Sequence, residues 1–389
     1  MKDKQIENLI KAEKTRQKKE INLIAAENFV SDDVLKALGS ELTNKYAEGY
    51  SKARYYGGNK NIDKLEDITA ERALKTFGIS GKNWDVNTQA LSGSPANLAV
   101  LLALTPKKGK IMGLSLTDGG HLTHGHKVSA TGQLFKSIQY NVDPKTEQID
   151  YKALKKLAKA KKPHVIIAGF TAYPRKVDWK KFREIADAAR AYLLVDMSHV
   201  AGLIAGKAYP SPFKYADVVT TTVHKTLRGP RAALIFSKKD KRGINKLINK
   251  AIFPGLQGGP HANQIAASAV ALKEAQSASF KKYTKQTIVN AKAMADEFKK
   301  LGWRIVSGGT DSHLFLIDTW EQEIGGKEAG EKLEKAGIIV NKNTIPGDKR
   351  SPMDPSGIRI GTPAQTTRGW KAKDFIKLAR KIDKILQSK

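Results

Sequence analysis

Between Val165 and Phe236 short apolar runs alternate with amphipathic stretches, and this alternation restricts the fold more than any other feature of the chain. Val165–Gly169 reads as a strand. From Asp178 to Arg190 apolar residues recur at 182, 185, 186 and 189, the spacing of one helix face. Tyr192–Val195, Val218–Thr222 and Ala232–Phe236 read as further strands. Strands separated in this way predict an α/β fold with a mostly parallel sheet covered on both faces. Ligands of such sheets sit at the carboxyl ends of the strands, where the sequence places Asp196 and Lys225.

The flanks differ in character. Residues 1–20 predict a charged helix whose Ile6, Leu9 and Ile10 share a face suited to a partner surface. Residues 21–60 are dense in Asn, Tyr and Gly, the composition of a loop region that builds a binding surface. From 261 to about 300 the pattern is helical, first alanine-rich and then lysine-rich. Leu314–Ile317 reads as a strand of a second, smaller domain. Lys371–Leu386 reads as a closing helix with Phe375, Leu378, Ala379, Ile382 and Ile385 inward. The expected division is an arm at 1–45, a large domain at 46–276 and a small domain at 277–389.

Composition removes several function classes. The 389 residues contain no cysteine, which excludes disulfide frameworks, thiolate metal sites and cysteine nucleophiles. Neither an N-terminal apolar core of signal-peptide length nor an apolar run of 18 residues is present, so a cytoplasmic chain without membrane spans is expected. The 68 basic and 38 acidic residues give a net charge of +30, which attracts anions. The lysines are spread along the chain, so nucleic acid is not the expected primary partner.

Five segments carry candidate chemistry. Ser92-Gly93-Ser94 precedes an apolar helical run and reads as a phosphate cradle or, more simply, as a helix cap at Ser94. His121, His124 and His126 lie in a glycine-rich loop with only Asp118 as an acidic neighbour; no metal is expected there, and a neutral imidazole stacked on a flat ligand fits. Asp196 closes a strand and suits a protonated ring nitrogen, with a helix cap as the plain alternative. Thr220–Arg231 places Lys225 among threonines, His224, Arg228 and Arg231. Neighbouring cations depress a lysine, so a Schiff-base lysine is one reading and a phosphate-binding or surface lysine the other. Arg359 sits in a β-branched, glycine-flanked run and needs a carboxylate, either a ligand's or one from the chain itself.

Taken together, the chain resembles the serine hydroxymethyltransferase family, pyridoxal-phosphate enzymes of fold type I. The matching runs stay in order from about residue 20 to the end. They include Leu23–Phe29, Leu42–Tyr50, Arg54–Gly58, Ser92–Val100, Gly119–Gly125, Leu194–Gly202, Asp217–Arg231, Phe253–Pro260, Val306–His313, Val340–Pro346 and Ser356–Gly369. The resemblance implies a large domain with a mostly parallel seven-stranded sheet and a smaller C-terminal α+β domain. It also implies reversible transfer of the serine hydroxymethyl carbon to tetrahydrofolate, leaving glycine and methylenetetrahydrofolate.

The resemblance also assigns roles. Lys225 would carry pyridoxal 5'-phosphate, Asp196 would meet its ring nitrogen, and His121 and His199 would flank the ring. Ser92, Gly93 and Ser94 would hold the phosphate, with Gly258 and Gly259 adding contacts from a second subunit. Thr171 keeps a hydroxyl where the family commonly has serine, and Thr222, His224 and Arg231 border the lysine. Arg359 would clamp the amino-acid carboxylate, supported by Tyr56 of the other subunit. Glu48 would move the proton at the serine hydroxyl, Tyr46 would line that pocket, and Leu116, Gly120, Leu122 and Asn343 would receive the folate. The shared residues imply at least a homodimer, with pairing into tetramers left open. Ala26, Leu91, Asp118, Val223 and Met353 depart from the common pattern, which keeps a folate-independent 3-hydroxy-amino-acid aldolase as the alternative.

Overall fold

The computed structural model describes residues 1–388. Seven strands form the main sheet: Trp84–Asn87 (β1), Lys110–Leu114 (β2), Lys136–Tyr140 (β3), Val165–Gly169 (β4), Tyr192–Asp196 (β5), Val218–Thr222 (β6) and Ala233–Lys238 (β7). Their spatial order is β1-β7-β6-β5-β4-β2-β3. The neighbours from β6 to β3 run parallel, whereas β7 is antiparallel to both β6 and β1. The sheet is therefore mostly parallel, as the sequence pattern predicts.

Alternation along β4 shows why both faces are covered. Val165 and Ile167 pack with Leu194, Val218 and the helix residues Ala96, Ala99 and Val100. Ile166 and Ala168 point the other way, toward Phe182, Ile185 and Leu193. Successive strand side chains take opposite faces, so an unbroken apolar run needs a cover on each side. One cover is the helix Gly93–Leu104 (α1) and the other includes Trp179–Ala189 (α2). Phe182 of α2 is fully buried, so its truncation to alanine would cost about 3–5 kcal/mol.

The helical run after residue 261 is broken into Ala262–Glu274 (α3) and Ala278–Lys300 (α4). The break is chemical: Ser277 caps α4 by accepting from the Phe280 amide at 3.1 Å. Phe280 and Tyr283 of α4 join the core around the main sheet, while Met294, Ala295 and Phe298 join a second core. That second core surrounds a four-stranded antiparallel sheet of Arg304–Ile305 (β8), Leu314–Asp318 (β9), Asn341–Asn343 (β10) and Gly357–Gly361 (β11), ordered β8-β9-β11-β10. The closing helix, Ala372–Gln387 (α5), buries Phe375, Leu378, Ala379, Ile382 and Leu386; Ile385 packs at the margin.

The N-terminal segment belongs with this second core. Ile21 and Asn22 pair in parallel with Ile338 and Ile339, and Leu23 is fully buried there. The helix Lys4–Lys19 that precedes it has no buried residue, and Leu9 remains 65 % exposed. No helix among the described residues is long and apolar enough to cross a membrane.

Candidate active site

The carboxyl ends of the parallel strands open into a cavity of about 130 Å³. The α1 start lines it with Ser92, Gly93, Ser94 and Asn97. The loops after β2, β4 and β5 add His121, Phe170, Thr171, Ser198 and His199, beside Asp196. The β6 end adds Thr222, His224, Lys225 and Arg231. Residues separated by more than 130 positions in sequence meet here because each ends a strand or starts a helix on the same edge.

Asp196 is the most heavily bonded group in the cavity. Its Oδ2 accepts from Asn97 Nδ2 at 2.8 Å and faces His124 Nε2 at 3.2 Å. Its Oδ1 accepts from the Ser198 amide at 3.1 Å and the Ser198 hydroxyl at 2.6 Å. Burial pushes the carboxyl upward, but the His124 hydrogen bond, the neighbouring imidazoles and Ser198 prevail and hold it well below the usual carboxylate range. Asp196 is therefore a fixed anion. It is not a helix cap: the next helix starts at Ala201 and its cap position is Val200.

Lys225 opposes it. The Nζ donates to Thr222 Oγ1 at 2.8 Å. Burial lowers the ammonium to about 8; Asp196 works against this, and Arg231 and Arg359 add to it. About a tenth of the amine is then unprotonated at pH 7, far more than for an ordinary lysine, and the free amine is the form that attacks a carbonyl carbon. Burial likewise brings His121 down to about 4 and His224 to about 3. The His121 Nδ1 accepts from the Thr123 amide at 3.2 Å, as a neutral ring does.

The α1 start is an anion cradle in form. The cap position is Ser92, not Ser94, and its side chain makes no capping bond. The first amides of the helix are left to a ligand, with hydroxyls on either side of Gly93. A Cβ on Gly93 would stand 2.8 Å from Thr222 Cγ2, so glycine at this position leaves the cradle open.

An amine of depressed basicity, a fixed carboxylate and an anion cradle on one cavity match the three polar features of pyridoxal phosphate. His224 Nδ1, buried and without a hydrogen-bond partner, adds an unused polar atom at the same wall. The sequence model of the family described as serine hydroxymethyltransferase matches residues 1–382. The chain belongs to the serine hydroxymethyltransferase family. It is 53 % identical over 392 residues to the serine hydroxymethyltransferase of Phytoplasma australiense, with 100 % of this chain and 94 % of that one covered. Against the cytosolic serine hydroxymethyltransferase of Saccharomyces cerevisiae the identity is 50 % over 402 residues, covering 99 % and 86 %. The probable cytosolic serine hydroxymethyltransferase of Schizosaccharomyces pombe is 48 % identical over 400 residues, covering 99 % and 85 %. Serine hydroxymethyltransferases are pyridoxal-phosphate enzymes, and the seven-stranded sheet with a second, smaller sheet is their fold type I architecture.

The other residues expected in a serine hydroxymethyltransferase site fall into three groups. Arg359 on β11 is buried and does not line the cavity itself but bonds to Thr171, which does: its Nη1 donates to the Thr171 carbonyl at 2.7 Å and its Nε to Asn341 Oδ1 at 3.0 Å. No carboxylate pairs with it among the described residues, so the expected alternative of an internal salt bridge is not realised. Thr171 Oγ1 donates to the Gly120 carbonyl at 2.8 Å, tying that strand end to the His121 loop. Leu116 and Asn343 belong to segments that touch, since Thr344 Oγ1 donates to the Thr117 carbonyl at 3.2 Å; Leu122 is exposed nearby in sequence.

Tyr46, Glu48, Tyr56, Gly258 and Gly259 do not line the Lys225 cavity of their own chain. They gather elsewhere: a Cβ on Gly258 would be 3.0 Å from Glu48 Oε1, one on Gly259 would be 3.4 Å from the Tyr46 ring, and Tyr46 meets Tyr56 edge to face. Tyr46, Tyr55 and Tyr56 are all at least half exposed.

Asn97, Phe170 and Ser198 line the cavity, and His313 and Asn341 contact His199 and Arg359 from behind; none of the five has a role assigned from the sequence. Asn97 and Ser198 were visible only as members of motifs. His313 ends the Val306–His313 run, and Asn341 stands two residues from Asn343.

Proposed function

We propose that this protein transfers the hydroxymethyl carbon of L-serine to tetrahydrofolate, giving glycine and methylenetetrahydrofolate. The observation that carries this reading is the opposition of a buried, easily deprotonated Lys225 to an obligate Asp196 anion across a cavity that begins at a bare helix N-terminus.

Pyridoxal phosphate, when bound, supplies an electron-withdrawing ring that takes up the electron pair released at the amino-acid α carbon. Ser92, Ser94 and the first amides of α1 bind its phosphate. Asp196 keeps a proton on the ring nitrogen, and His124, Asn97 and Ser198 keep Asp196 charged and in place. Neutral His121 and His199 confine the ring. Arg359, whose remaining N–H groups are uncommitted, takes the substrate carboxylate. Lys225 presents its amine, and Thr222 orients it.

Glu48 and Tyr46 act from a second copy of the chain, with Glu48 handling the proton of the serine hydroxyl and Gly258, Gly259 and Tyr56 completing the same shared wall. The exposed tyrosine cluster, which does not line the cavity of its own chain, supports this dimer. Leu116, Gly120, Leu122 and Asn343 bound the folate side. The two cores correspond to a large and a small domain, with the border near 276 at the α3–α4 junction.

Two measurements test the proposal. Serine cleavage should require tetrahydrofolate; cleavage of 3-hydroxy amino acids at full rate without it would favour the aldolase. Mixing inactive E48Q and K225A chains should restore about a quarter of the activity, because half of random dimers carry one intact site. No recovery after subunit exchange would place Glu48 in its own chain's site.

A further inference from the structure

Gln257 completes a sheet edge with its side chain. β1 is an outermost strand of the main sheet, with β7 as its neighbour. Beyond β1 the chain runs through Gln89 and Leu91 to Ser92, the extended cap position of α1. On the inner side the Ala233 amide donates to the Ala90 carbonyl at 3.2 Å. On the outer side, where the strand order ends, the Gln257 Nε2 donates to the Gln89 carbonyl at 2.7 Å and its Oε1 accepts from the Leu91 amide at 3.2 Å. A neighbouring strand would take the same two groups, because alternate residues turn them to one side. The sense of both bonds is fixed, since a carbonyl only accepts and an amide N–H only donates.

The same residue belongs to the loop that meets Glu48. The Gln257 amide donates to the Ile252 carbonyl at 2.9 Å, and Ile252 is buried in one cluster with Ala96, Ala99 and Val100 of α1. Gly258 and Gly259 follow directly, and they are the glycines that face Glu48 and Tyr46. Gln257 does not line the Lys225 cavity. It holds the residue before Ser92 and carries the loop behind the Tyr46–Glu48 cluster.

We propose that Gln257 is a positioning residue: it fixes Leu91, and with it the anion cradle at Ser92–Ser94, from the loop that presents Gly258 and Gly259. For the identity of the anion and for the second copy this rests on the functional reading above. In the dimer of that reading the loop serves the neighbouring site, so one side chain links the cradle of one site to the wall of the other.

The test begins with full-length protein without cofactor, wild type and Q257M, compared by amide hydrogen exchange. The Leu91 amide and the segment 253–261 should both exchange about tenfold faster in Q257M. Unchanged exchange at Leu91 overturns the proposal. Equilibrium titration with pyridoxal phosphate, followed by visible absorbance, should show an affinity about three- to thirtyfold lower in Q257M. Wild-type affinity in Q257M would refute the cradle role. Q257E keeps an acceptor for Leu91 but turns a negative oxygen toward the Gln89 carbonyl. Its deficit relative to wild type should shrink from about pH 8 to about pH 5, because the protonated carboxyl donates again. A deficit independent of pH would refute the hydrogen-bonding role. A wild type that gives no visible band strikes the functional reading instead and leaves the exchange result to decide about Gln257. In mixtures of E48Q and K225A chains, the intact site combines Lys225 of the first with Glu48 of the second. Q257M should lower the recovered activity when placed in either chain, and a loss from the E48Q chain alone refutes the link between sites.

Discussion

Arg359 donates to the backbone carbonyl of Thr171 at 2.7 Å, across the boundary between the two sheets. A carbonyl oxygen fixes the guanidinium without neutralising it. Burial lowers Arg359 to about 10, and a charge so placed without a counter-ion is stabilised by an incoming anion. R359K keeps the charge but loses the planar fork. Serine KM should rise about ten- to a hundredfold, the equivalent of a charged hydrogen bond, with kcat less affected. N341A, which frees only Nε, should raise KM by less. An R359K enzyme with unchanged KM in steady-state kinetics would exclude the carboxylate role.

If Lys225 is the amine that takes up the cofactor, as proposed, its basicity sets the pH dependence of uptake. Its ammonium is lowered to about 8, first by burial and then by Arg231 and Arg359. Below that value the amine is protonated and unreactive; above it the lone pair is free. The rate at which unloaded protein takes up pyridoxal phosphate should therefore climb through pH 8 and level off, as followed by the growth of visible absorbance. R231Q removes a neighbouring positive charge, so its midpoint should move to higher pH. A midpoint near 10 in the wild type would mean that burial does not act on this amine as described.

The α/β alternation and the strand-end positions of Asp196 and Lys225 were legible because periodicity and strand termini are local properties. What supports those residues was not. The Asn97–Asp196 bond spans 99 positions and the His199–His313 bond 114, and nothing within a single window encodes such pairings. The misplaced cap at Ser94 has a local cause: Ser92 and Ser94 are equally good capping residues, and in the structure Ser92 is the extended one from which the helix starts at Gly93. The cluster of Tyr46, Glu48 and Gly258 shows a third limit. Its residues were recognisable, but that they do not line the Lys225 cavity of their own chain follows from how the chain folds, which spacing does not report.

Gly93 offers a steric test of the cradle. In G93A the added methyl would stand 2.8 Å from Thr222 Cγ2, closer than carbon atoms tolerate. Relieving that contact by shifting α1 would cost about 1–3 kcal/mol, so cofactor affinity should fall by about ten- to a hundredfold. The double variant G93A/T222S lacks the offending methyl but keeps the hydroxyl beside Lys225. It should regain much of the affinity in equilibrium titration. Equal losses in the single and double variants would show that the helix start, rather than the Thr222 contact, governs the site.

Asp217 links the helix face first read in the sequence to acid stability. Its Oδ2 accepts from the Leu193 amide at 2.8 Å and Arg183 Nη1 at 2.7 Å, and its Oδ1 from Arg242 Nη2 at 2.7 Å. Arg183 lies on α2, Leu193 on β5, and Asp217 immediately precedes β6, so one carboxylate ties three elements together. Burial pushes its pKa up, but the Leu193 amide and the two arginines outweigh this and leave it lowered. A lowered carboxylate stabilises the fold above its unfolded value of about 3.9, and that contribution disappears as pH falls through the folded value. D217A should therefore destabilise the protein by about 3 kcal/mol at pH 7, since Arg183 would lose its buried partner. The gap between wild type and variant in urea unfolding should close as the pH drops below 4. A gap that stays constant from pH 7 to pH 3 would show that Asp217 acts through packing and not through its charge.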